Sequence, residues 1–286
     1  MRIAKGWANF ELIDASCGER LERWGDLTLI RPDPQVIWKT KKDPKLGWAD
    51  PHATYRRSDT GGGRWITAKP IPNEWTISYK NLSFVIKPTG FKHTGLFPEQ
   101  AANWEVIPSL IEPGDSILNL FAYTGGATLA CAAAGGSICH VDASKGMVAW
   151  ARENAKESGL AEKPIRWIVD DCQKFVSREI RRGKKYSGII MDPPSYGRGP
   201  NGEVWKLEDS IFDLTTLCAE LLNEDSKFFL LNSYTTGLAP SVMGYLLESI
   251  IRPKYGGKVT SYELGIPVTA SGGILPCGSS ALWTSG

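Results

Sequence analysis

The chain has 286 residues, of which 42% are hydrophobic and 22% are charged. This composition excludes a disordered or fibrous protein, and the length allows one large domain with a smaller one. Charges near the start of the chain argue against a signal peptide, and polar residues such as Asn119 and Thr124 interrupt the most apolar stretch, so no membrane span is expected. Six cysteines without a Cys-x-x-Cys pair predict a reduced, cytoplasmic protein with no metal site.

Charge is divided unevenly along the chain. Residues 1–100 carry 16 Lys and Arg against 11 Asp and Glu, whereas the remainder carries 17 against 20. The first hundred residues also hold six of the eleven tryptophans. A basic, aromatic-rich segment beside a mildly acidic one indicates a polyanionic partner. A small β domain with solvated charges and a tryptophan-rich core explains the same counts equally well.

The first part of the chain predicts a β-rich module over residues 1–90. Runs of β-branched and aromatic residues bounded by Gly and Pro predict strands at 10–15, 26–32, 64–68, 75–79 and 84–87. A helix is expected over 99–110, where the pattern changes. The remaining residues, 91–286, are then assigned to a second domain.

Strands and helices alternate in the second domain. Apolar strands are predicted at 116–121, 137–142, 165–169, 187–191 and 227–232, and helices at 124–134, 144–159, 172–182 and 205–222. Such alternation predicts an α/β fold with a parallel, doubly wound, Rossmann-like sheet. A helix at 241–251 and two strands at 258–264 and 279–284, joined by a hairpin-length loop, predict an antiparallel C-terminal edge.

Two strand ends carry residues suited to a nucleoside. Sheets of this type bind ligands outside the carboxyl ends of their strands. Residues 119–126, Asn-Leu-Phe-Ala-Tyr-Thr-Gly-Gly, form a small-residue turn where backbone can approach a ligand, with Thr124 as a candidate helix cap. The turn lacks the Gly-x-Gly-x-x-Gly pattern of nicotinamide enzymes, and a plain strand–helix connection is the alternative. Asp142, at the next strand end, can accept both hydroxyls of a ribose or serve as a charge near the helix start at Ser144.

The third and fourth strand ends suggest base recognition. Asp170 and Asp171 precede Cys172, and either carboxylate can accept from an adenine amine or act as a helix N-cap; Asp171 is favoured for the adenine. The segment 192–197, Asp-Pro-Pro-Ser-Tyr-Gly, ends its strand abruptly because proline is disfavoured within a central strand. Its rigid carbonyls beside the Asp192 carboxylate can accept N–H bonds from a nucleobase amine, and Tyr196 can stack on the base.

These motifs together resemble class I S-adenosylmethionine-dependent methyltransferases. In particular, they resemble the bacterial family that modifies large-subunit ribosomal RNA on cytosine or guanine. Residues 92–100, Lys-His-Thr-Gly-Leu-Phe-Pro-Glu-Gln, are similar to that family's Lys-Thr-Gly-x-x-x-Asp-Gln-Arg motif. The likeness covers about residues 85–285 and implies a seven-stranded sheet.

The resemblance also implies S-adenosylmethionine as the cofactor and assigns residues to it. Phe121, Tyr123 and Gly125 would lie under the methionine portion with Gln100 near its polar end, while Asp171 and Cys172 would hold the adenine. The full set assigned to the cofactor is Phe97, Gln100, Asn119, Phe121, Ala122, Tyr123, Thr124, Gly125, Asp142, Ala143, Ser144, Asp171, Cys172 and Asp192. The acceptor is assigned to Asp192, Pro193, Pro194 and Tyr196.

Two departures from the family pattern affect the expected chemistry. The family's Asp-Gln-Arg is Glu99-Gln100-Ala101 here, so the contacts of that arginine are missing or supplied elsewhere. The strand end at 231–234, Leu-Asn-Ser-Tyr, has no cysteine where similar cytosine-C5 methylating enzymes place their nucleophile. Carbon methylation at C5 requires a thiolate, whereas a nitrogen acceptor has its own lone pair. Methylation of a nitrogen is therefore favoured.

The sequence hypothesis is an enzyme that methylates a base of ribosomal RNA. The basic β-rich module over residues 1–90 would bind the RNA, and the candidate contacts are Arg56, Arg57 and Arg64 beside Tyr55 and Trp65. A methyltransferase for a small molecule or a protein is the alternative, followed by a non-catalytic protein that binds S-adenosylmethionine. No membrane partner is expected, and the sequence does not distinguish a monomer from a homodimer.

Overall fold

The computed structural model describes residues 1–58, 62–198, 204–235 and 237–286. The chain forms two compact units. The smaller consists of Ile3–Ala102 and Gly265–Cys277, and the larger of Met1–Arg2, Asn103–Leu264 and Gly278–Gly286. The smaller unit therefore continues past residue 90, where the sequence placed the domain boundary, and it takes in a segment from near the end of the chain.

Seven of the first eight strands of the chain, all of them short, build the smaller unit. The first eight strands of the chain are β1 (Arg2–Ile3), β2 (Phe10–Ser16), β3 (Glu19–Trp24), β4 (Leu27–Pro32), β5 (Ala53–Arg57), β6 (Gly63–Thr67), β7 (Trp75–Tyr79) and β8 (Leu82–Ile86). β2 to β6 form one sheet in chain order, with neighbours antiparallel except for the parallel pair β4 and β5. β7 and β8 form a separate hairpin. The sequence predicted five of these strands to within two residues at each end and missed β1, β3 and β5.

A buried ion pair explains why β3 was missed. β3 reads Glu-Arg-Leu-Glu-Arg-Trp, which looks like a solvated turn, yet Glu22 is fully buried. Its carboxylate accepts bonds from Arg31 Nε at 2.6 Å and Nη2 at 2.8 Å, and from Trp24 Nε1 at 3.0 Å. Burial alone would raise the pKa of the Glu22 carboxyl, but the Arg31 guanidinium holds that pKa below its ordinary value. A buried charge is tolerated because it is paired and hydrogen-bonded.

The larger unit alternates strands with helices. Its elements in chain order are α1 (Ala101–Trp104), β9 (Ser116–Leu120), α2 (Gly126–Ala133), β10 (Ser137–Asp142), α3 (Lys145–Glu157), β11 (Ile165–Val169), α4 (Cys172–Arg181), β12 (Gly188–Met191), β13 (Tyr196–Arg198), β14 (Val204–Lys206), α5 (Leu207–Ala219), β15 (Phe228–Ser233), α6 (Pro240–Ile250), α7 (Arg252–Tyr255), β16 (Lys258–Pro267) and β17 (Ile274–Thr284).

An eight-stranded sheet has the order β11-β10-β9-β12-β15-β17-β16-β1. β9 to β12 and β15 run parallel, and β17 is antiparallel to β15. The predicted Rossmann-like α/β fold with an antiparallel C-terminal edge is thus confirmed. The sheet has one strand more than expected, because the two residues of β1 pair with β16.

The predicted helix over 99–110 is wrong. The chain there forms a 3-10 helix at Pro98–Gln100, the four-residue α1, and a second 3-10 helix at Ile107–Ser109. Proline has no N–H to donate and its ring clashes with the preceding turn, so a continuous α-helix does not pass through Pro108. α5 also begins later than predicted, since residues 204–206 pair with 196–198.

One hydrophobic core of the larger unit lies on one face of the sheet. It contains alternate residues of the central strands, among them Leu118, Val141, Met191 and Leu231, packed against Phe175 of α4. Apolar side chains buried in this way contribute about 1.5–3 kcal/mol each. None of the helices in the described parts of the chain is long and apolar enough to cross a membrane.

Candidate active site

The strand order of the large sheet reverses at β9. This strand lies between β10 on one side and β12 on the other. The carboxyl ends of these parallel strands share one edge of the sheet, and such a switch point opens a crevice for a ligand. The four motifs that the sequence singled out all follow strands of this edge, β9 to β12.

The turn after β9 has an irregular backbone. Phe121 and Tyr123 have φ of 54° and 51°, and Gly125 has φ of 88°. Positive φ in a non-glycine residue costs on the order of 1–3 kcal/mol, and such residues cluster at functional sites. A Cβ on Gly125 would lie 3.1 Å from Cβ of Ala151, so glycine allows the turn to pack on α3. Gly125 is the N-cap of α2, which corrects the sequence assignment of that role to Thr124.

Asp142 joins two of the turns. Its Oδ2 accepts a hydrogen bond from the backbone N–H of Tyr123 at 2.8 Å, and its Oδ1 accepts from that of Ser144 at 2.8 Å. Burial raises the pKa of this carboxyl, and the two N–H donors oppose the shift. A carboxylate offers about four acceptor positions, so each oxygen keeps one for a further donor. Ala143 and Ser144, which follow Asp142, are exposed, and Ser144 caps α3.

The third strand end carries two carboxylates with different partners. Asp170 forms an ion pair with Arg178. Asp171 is the N-cap of α4, where its Oδ1 accepts from the backbone N–H of Lys174 at 2.9 Å. The helix-cap role that the sequence left open for Asp171 is therefore present, and its second carboxylate oxygen remains as an acceptor for a ligand.

Cys172 stabilises the neighbouring turns from inside the protein. Its Sγ accepts from the backbone N–H of Phe121 at 3.3 Å and lies 3.9 Å from the carbonyl oxygen of Val141. The side chain is 2% exposed, and burial raises the pKa of the thiol well above its ordinary value. The thiol is therefore protonated at neutral pH and is a poor nucleophile.

β12 ends at the Pro-Pro turn. The backbone N–H of Asp192 still bonds to the carbonyl of Leu120, at 3.5 Å, and Pro193 is buried. The carbonyl of Pro194 accepts from Trp205 Nε1 at 2.6 Å. Tyr196 is 52% exposed, so its ring is accessible at the surface. The turn therefore places a carboxylate and rigid backbone at the open edge of the sheet, next to the turn that follows β9.

Trp205 is a site residue that the sequence analysis missed. The sequence assigned it to the start of a helix, whereas it lies in β14 opposite Gly197. Besides its bond to Pro194, its ring lies 5.8 Å from the ring of Phe121. The indole thus connects the Pro-Pro turn with the turn after β9. No local sequence pattern indicates this role, because both partners are distant in the chain.

The side chain of Asn119, which the sequence assigned to the cofactor, lies in the core. Its side chain is 3% exposed and donates from Nδ2 to Thr128 Oγ1 at 2.9 Å. Thr128 in turn bonds to His140 Nδ1 at 2.9 Å, and burial lowers the pKa of His140 to about 3, which keeps the ring neutral. The carbonyl of Thr124 accepts from Asn154 Nδ2 at 2.8 Å. These buried hydrogen bonds stabilise the turn after β9.

Phe97 and Gln100 belong to the smaller unit. Phe97 is the N-cap of the 3-10 helix, and its carbonyl accepts from the backbone N–H of Gln100 at 3.0 Å. Gln100 and Glu99 are both buried. Burial raises the pKa of the Glu99 carboxyl, whose Oε2 has no hydrogen-bond partner among the described residues. The assignment of Phe97 and Gln100 to the cofactor stays a prediction.

A family model and a solved structure match this chain. The model of the S-adenosylmethionine-dependent methyltransferases matches residues 50–212. A SAM-dependent methyltransferase from Agrobacterium tumefaciens is 35% identical, with a TM-score of 0.92 over 99% of this chain and 93% of that protein. A methyltransferase crystallised with SAH has a TM-score of 0.74 over 98% of this chain and 76% of its own; at 17% identity it shows the shared fold.

Curated relatives carry the name ribosomal RNA large subunit methyltransferase K/L. The protein from Colwellia psychrerythraea is 26% identical over 217 residues, which are 73% of this chain and 27% of the relative. The one from Shewanella frigidimarina is 31% identical over 140 residues, 49% of this chain and 18% of the relative. The chain thus spans about a quarter or less of the length of these relatives.

Proposed function

This chain belongs to the family of S-adenosylmethionine-dependent methyltransferases, and we propose that it methylates a nucleobase of ribosomal RNA, on a nitrogen atom. The observation that carries the proposal is the edge of the large sheet, where Asp142 at the end of β10 and the Asp192-Pro193-Pro194 turn at the end of β12 lie on either side of β9. The cofactor supplies an electrophilic methyl group on its sulfonium. The names of the curated relatives support RNA as the methyl acceptor.

The residues at the switch point fit this cofactor. Each Asp142 oxygen keeps an acceptor position beyond its bond to a turn amide, which suits the two hydroxyls of a ribose. The second oxygen of Asp171 and the backbone beside it would receive the adenine. The strained residues Phe121 and Tyr123 and the glycine at 125 would line the methionine portion.

The Pro-Pro turn would hold the base to be methylated. The carbonyls at Asp192 and Pro193 and the Asp192 carboxylate can accept N–H bonds from an exocyclic amine and stabilise charge that develops on it. Holding the amine in line with the methyl group can contribute on the order of 7–11 kcal/mol of the barrier reduction. Tyr196 is exposed and can stack on the base.

The cysteines support a nitrogen acceptor. Five of the six are buried, and the sixth, Cys17, lies in the smaller unit. Burial raises the pKa of Cys172, the cysteine nearest the proposed pocket, so it does not supply the thiolate that methylation of C5 of cytosine requires. An amine acceptor needs no covalent intermediate.

The smaller unit would contribute phosphate contacts. Arg57 and Arg64, near the ends of β5 and β6, are exposed, while Arg56 pairs with Glu19 at 3.1 Å. Tyr55, by contrast, is 3% exposed and donates to the carbonyl of Gly90, so it is not available for stacking. This corrects the sequence assignment of Tyr55 to an RNA-contacting surface.

Several tryptophans of this unit are also internal. Trp24 is fully buried and Trp48 is 9% exposed, whereas Trp38 is 37% exposed. The tryptophan-rich core that the sequence left open is therefore present. The case for RNA contact by this unit consequently depends on its basic side chains.

Transfer of a tritiated methyl group tests the proposal. Purified protein and labelled S-adenosylmethionine are incubated with unmodified large-subunit ribosomal RNA transcripts, with protein and with small-molecule extracts. We expect label in RNA alone, and nucleoside analysis should then show methylation on a base nitrogen. Label confined to protein or small molecules would overturn the choice of substrate. A C5-methylated pyrimidine would overturn the choice of a nitrogen acceptor.

The salt dependence of RNA binding tests the basic surface. Changing Arg56, Arg57 and Arg64 to alanine should reduce the slope of log affinity against log salt by about 1.4, since each lost contact with a single-strand phosphate contributes about 0.7 and the ion-paired Arg56 contributes less. Arg23, which is paired with Glu11 at 3.0 Å, provides the matched control, and its change to alanine should leave the slope within error. An unchanged slope in the triple variant would mean that these arginines contact no phosphate.

A further inference from the structure

A buried chain of hydrogen bonds leads to the end of β15. Arg2 Nη1 donates to the hydroxyl of Tyr262 at 3.0 Å, and that hydroxyl donates to Asn103 Oδ1 at 2.8 Å. Asn103 Nδ2 donates to Asn232 Oδ1 at 3.0 Å and to Ser280 Oγ at 3.1 Å. Ser280 Oγ donates to Asn232 Oδ1 at 2.7 Å. Asn103, Asn232 and Ser280 are each 3% exposed or less.

The first donor fixes the direction of every bond in this chain. Arginine cannot accept a hydrogen bond, so the Tyr262 hydroxyl accepts from it and keeps its own proton for Asn103. Burial raises the pKa of Tyr262 to about 12, which keeps that proton in place. Asn103 must then present its NH₂ group to Asn232. Rotating the Asn232 carboxamide by half a turn would set its NH₂ against two donors, so its orientation is fixed by the network.

This orientation leaves the Asn232 Nδ2 amide as a directed donor. Both hydrogen bonds of the side chain end on Oδ1, and Nδ2 has no partner among the described residues. Nδ2 is not one of the fully buried polar atoms without a partner, so it is partly accessible to a ligand. Leu231 pairs with Met191 of β12, and the next residue on each strand is Asn232 and Asp192. Asn232 thus lies beside Asp192, the first residue of the Pro-Pro turn.

We propose that Asn232 selects a base with an exocyclic amine for methylation, by donating from Nδ2 to the unprotonated ring nitrogen next to the acceptor amine. This inference rests on the proposed function. In cytosine, adenine and guanine the carbon that bears the exocyclic amine also bears such a nitrogen: N3, N1 and N3, respectively. A carbonyl at Asp192 or Pro193 that accepts from the amine, beside an amide that donates to the ring nitrogen, matches this edge of the base.

Buried polar groups make such recognition selective. A site that presents a fixed donor rejects a base that lacks the acceptor, because the donor would lose its bond to water without a replacement. Asn232 is well suited to this role because its Oδ1 is already occupied and the amide cannot turn to accept instead. Tyr262 and Asn103 are then positioning residues, which act through Asn232.

Base analogues test the contact. Large-subunit ribosomal RNA transcripts are made with 3-deazacytidine, 1-deazaadenosine or 3-deazaguanosine in place of the natural nucleoside, so that C–H replaces the ring nitrogen. For the base that is methylated, the wild type should lose at least tenfold in kcat/KM on its deaza transcript. Asn232→Ala should already be at least tenfold slower on the natural transcript, with less than a twofold further loss on the deaza one.

Two further variants separate recognition from stability. Asn232→Asp keeps both bonds to Oδ1 and replaces the donor with an acceptor, so it should lose at least as much kcat/KM as the alanine variant. Tyr262→Phe removes the hydroxyl that orders the network and should lose three- to tenfold, with a smaller penalty for the deaza transcript than in the wild type. Both should bind S-adenosylhomocysteine within threefold of the wild type by calorimetry.

The outcomes distinguish this inference from the proposed function. If the wild type methylates no transcript, both fall. If it methylates RNA but Asn232→Ala and the deaza substitution reduce kcat/KM by independent factors, another group contacts the ring nitrogen and only the Asn232 assignment is overturned. A more than threefold weaker affinity of Asn232→Asp for S-adenosylhomocysteine would place Asn232 at the cofactor and would also overturn it.

Discussion

Changing Asp142 to alanine should weaken S-adenosylmethionine binding at least tenfold. Each carboxylate oxygen accepts one turn amide at 2.8 Å and keeps a position for one ribose hydroxyl. Two charge-assisted hydrogen bonds at about 1.5–3 kcal/mol each give about 3–6 kcal/mol in total. Water that enters the vacated space recovers part of this, and a residual loss of about 1.4 kcal/mol already corresponds to a tenfold rise in Kd.

The assay must separate ribose contact from support of the turns. Calorimetry with S-adenosylhomocysteine and with its 2′-deoxy analogue makes this distinction. The wild type should bind the analogue more weakly than S-adenosylhomocysteine, whereas the Asp142→Ala variant should bind both ligands equally. Asp115→Ala is the matched control. Like Asp142, Asp115 accepts a hydrogen bond from a backbone N–H, and it also forms an ion pair with Lys227, but it lies at the opposite edge of the sheet. It should lower stability and leave the Kd unchanged. Equal affinity of Asp142→Ala and the wild type for S-adenosylhomocysteine would refute the assignment.

The pH dependence of binding follows from the same carboxylate. Burial raises the pKa of Asp142, so its proton is taken up at a higher pH than in an exposed aspartate. A protonated carboxyl loses its charge and one acceptor position. The affinity of the wild type for S-adenosylhomocysteine should therefore fall as the pH is lowered through that raised pKa, while the Asp142→Ala variant should show no such step. A step of the same size in both proteins would assign it to another group.

Three other results are expected. Lys92 is a half-buried basic residue of the smaller unit, the unit proposed to contact RNA, and burial lowers its pKa to about 8. Its charge is lost as the pH rises from 7 to 9, so RNA affinity should fall over this range and Lys92→Arg should abolish the fall. The same pH profile in both proteins would show that Lys92 contacts no phosphate. Iodoacetamide should label the native protein once, at the exposed Cys17, as counted by mass spectrometry, and rapid labelling of Cys172 would contradict its raised pKa. Gly188→Ala should lower the free energy of unfolding in urea by about 1–3 kcal/mol, because a Cβ there would lie 2.4 Å from a Phe228 ring carbon. Gly146→Ala in α3 is the control. A Cβ at Gly146 would have no atom nearer than 3.8 Å, so this change should be neutral or stabilising.

Periodic patterns made much of the larger unit predictable. The strand at Ile165–Val169 was predicted to the residue, and α4 to within one, because apolar runs and a capping aspartate mark them locally. The strand ends were therefore placed correctly in sequence, and the parallel order follows from the alternation of strands and helices. Where local signals and packing agreed, the sequence was sufficient to predict the bounds of strands and helices.

Predictions were less accurate where a residue's partner is distant in the chain. The burial of Glu22 depends on its ion pair with Arg31, and the Asn119 amide donates to Thr128. Trp205 was assigned to a helix because its partner, the Pro194 carbonyl, is not visible in a local pattern. Each of these depends on a hydrogen bond whose donor and acceptor meet only in the folded chain.

The α/β architecture, the strand ends and the chemical types of the residues that follow them could be inferred from local sequence patterns. Which of those side chains form hydrogen bonds within the protein became apparent from the folded chain. The Asn232 amide shows the difference, since its direction is set by a hydrogen-bond network that includes Asn103 and Ser280, far away in sequence. Periodicity reports which face of an element is buried, whereas the orientation of a polar group depends on partners that the fold brings within about 3 Å.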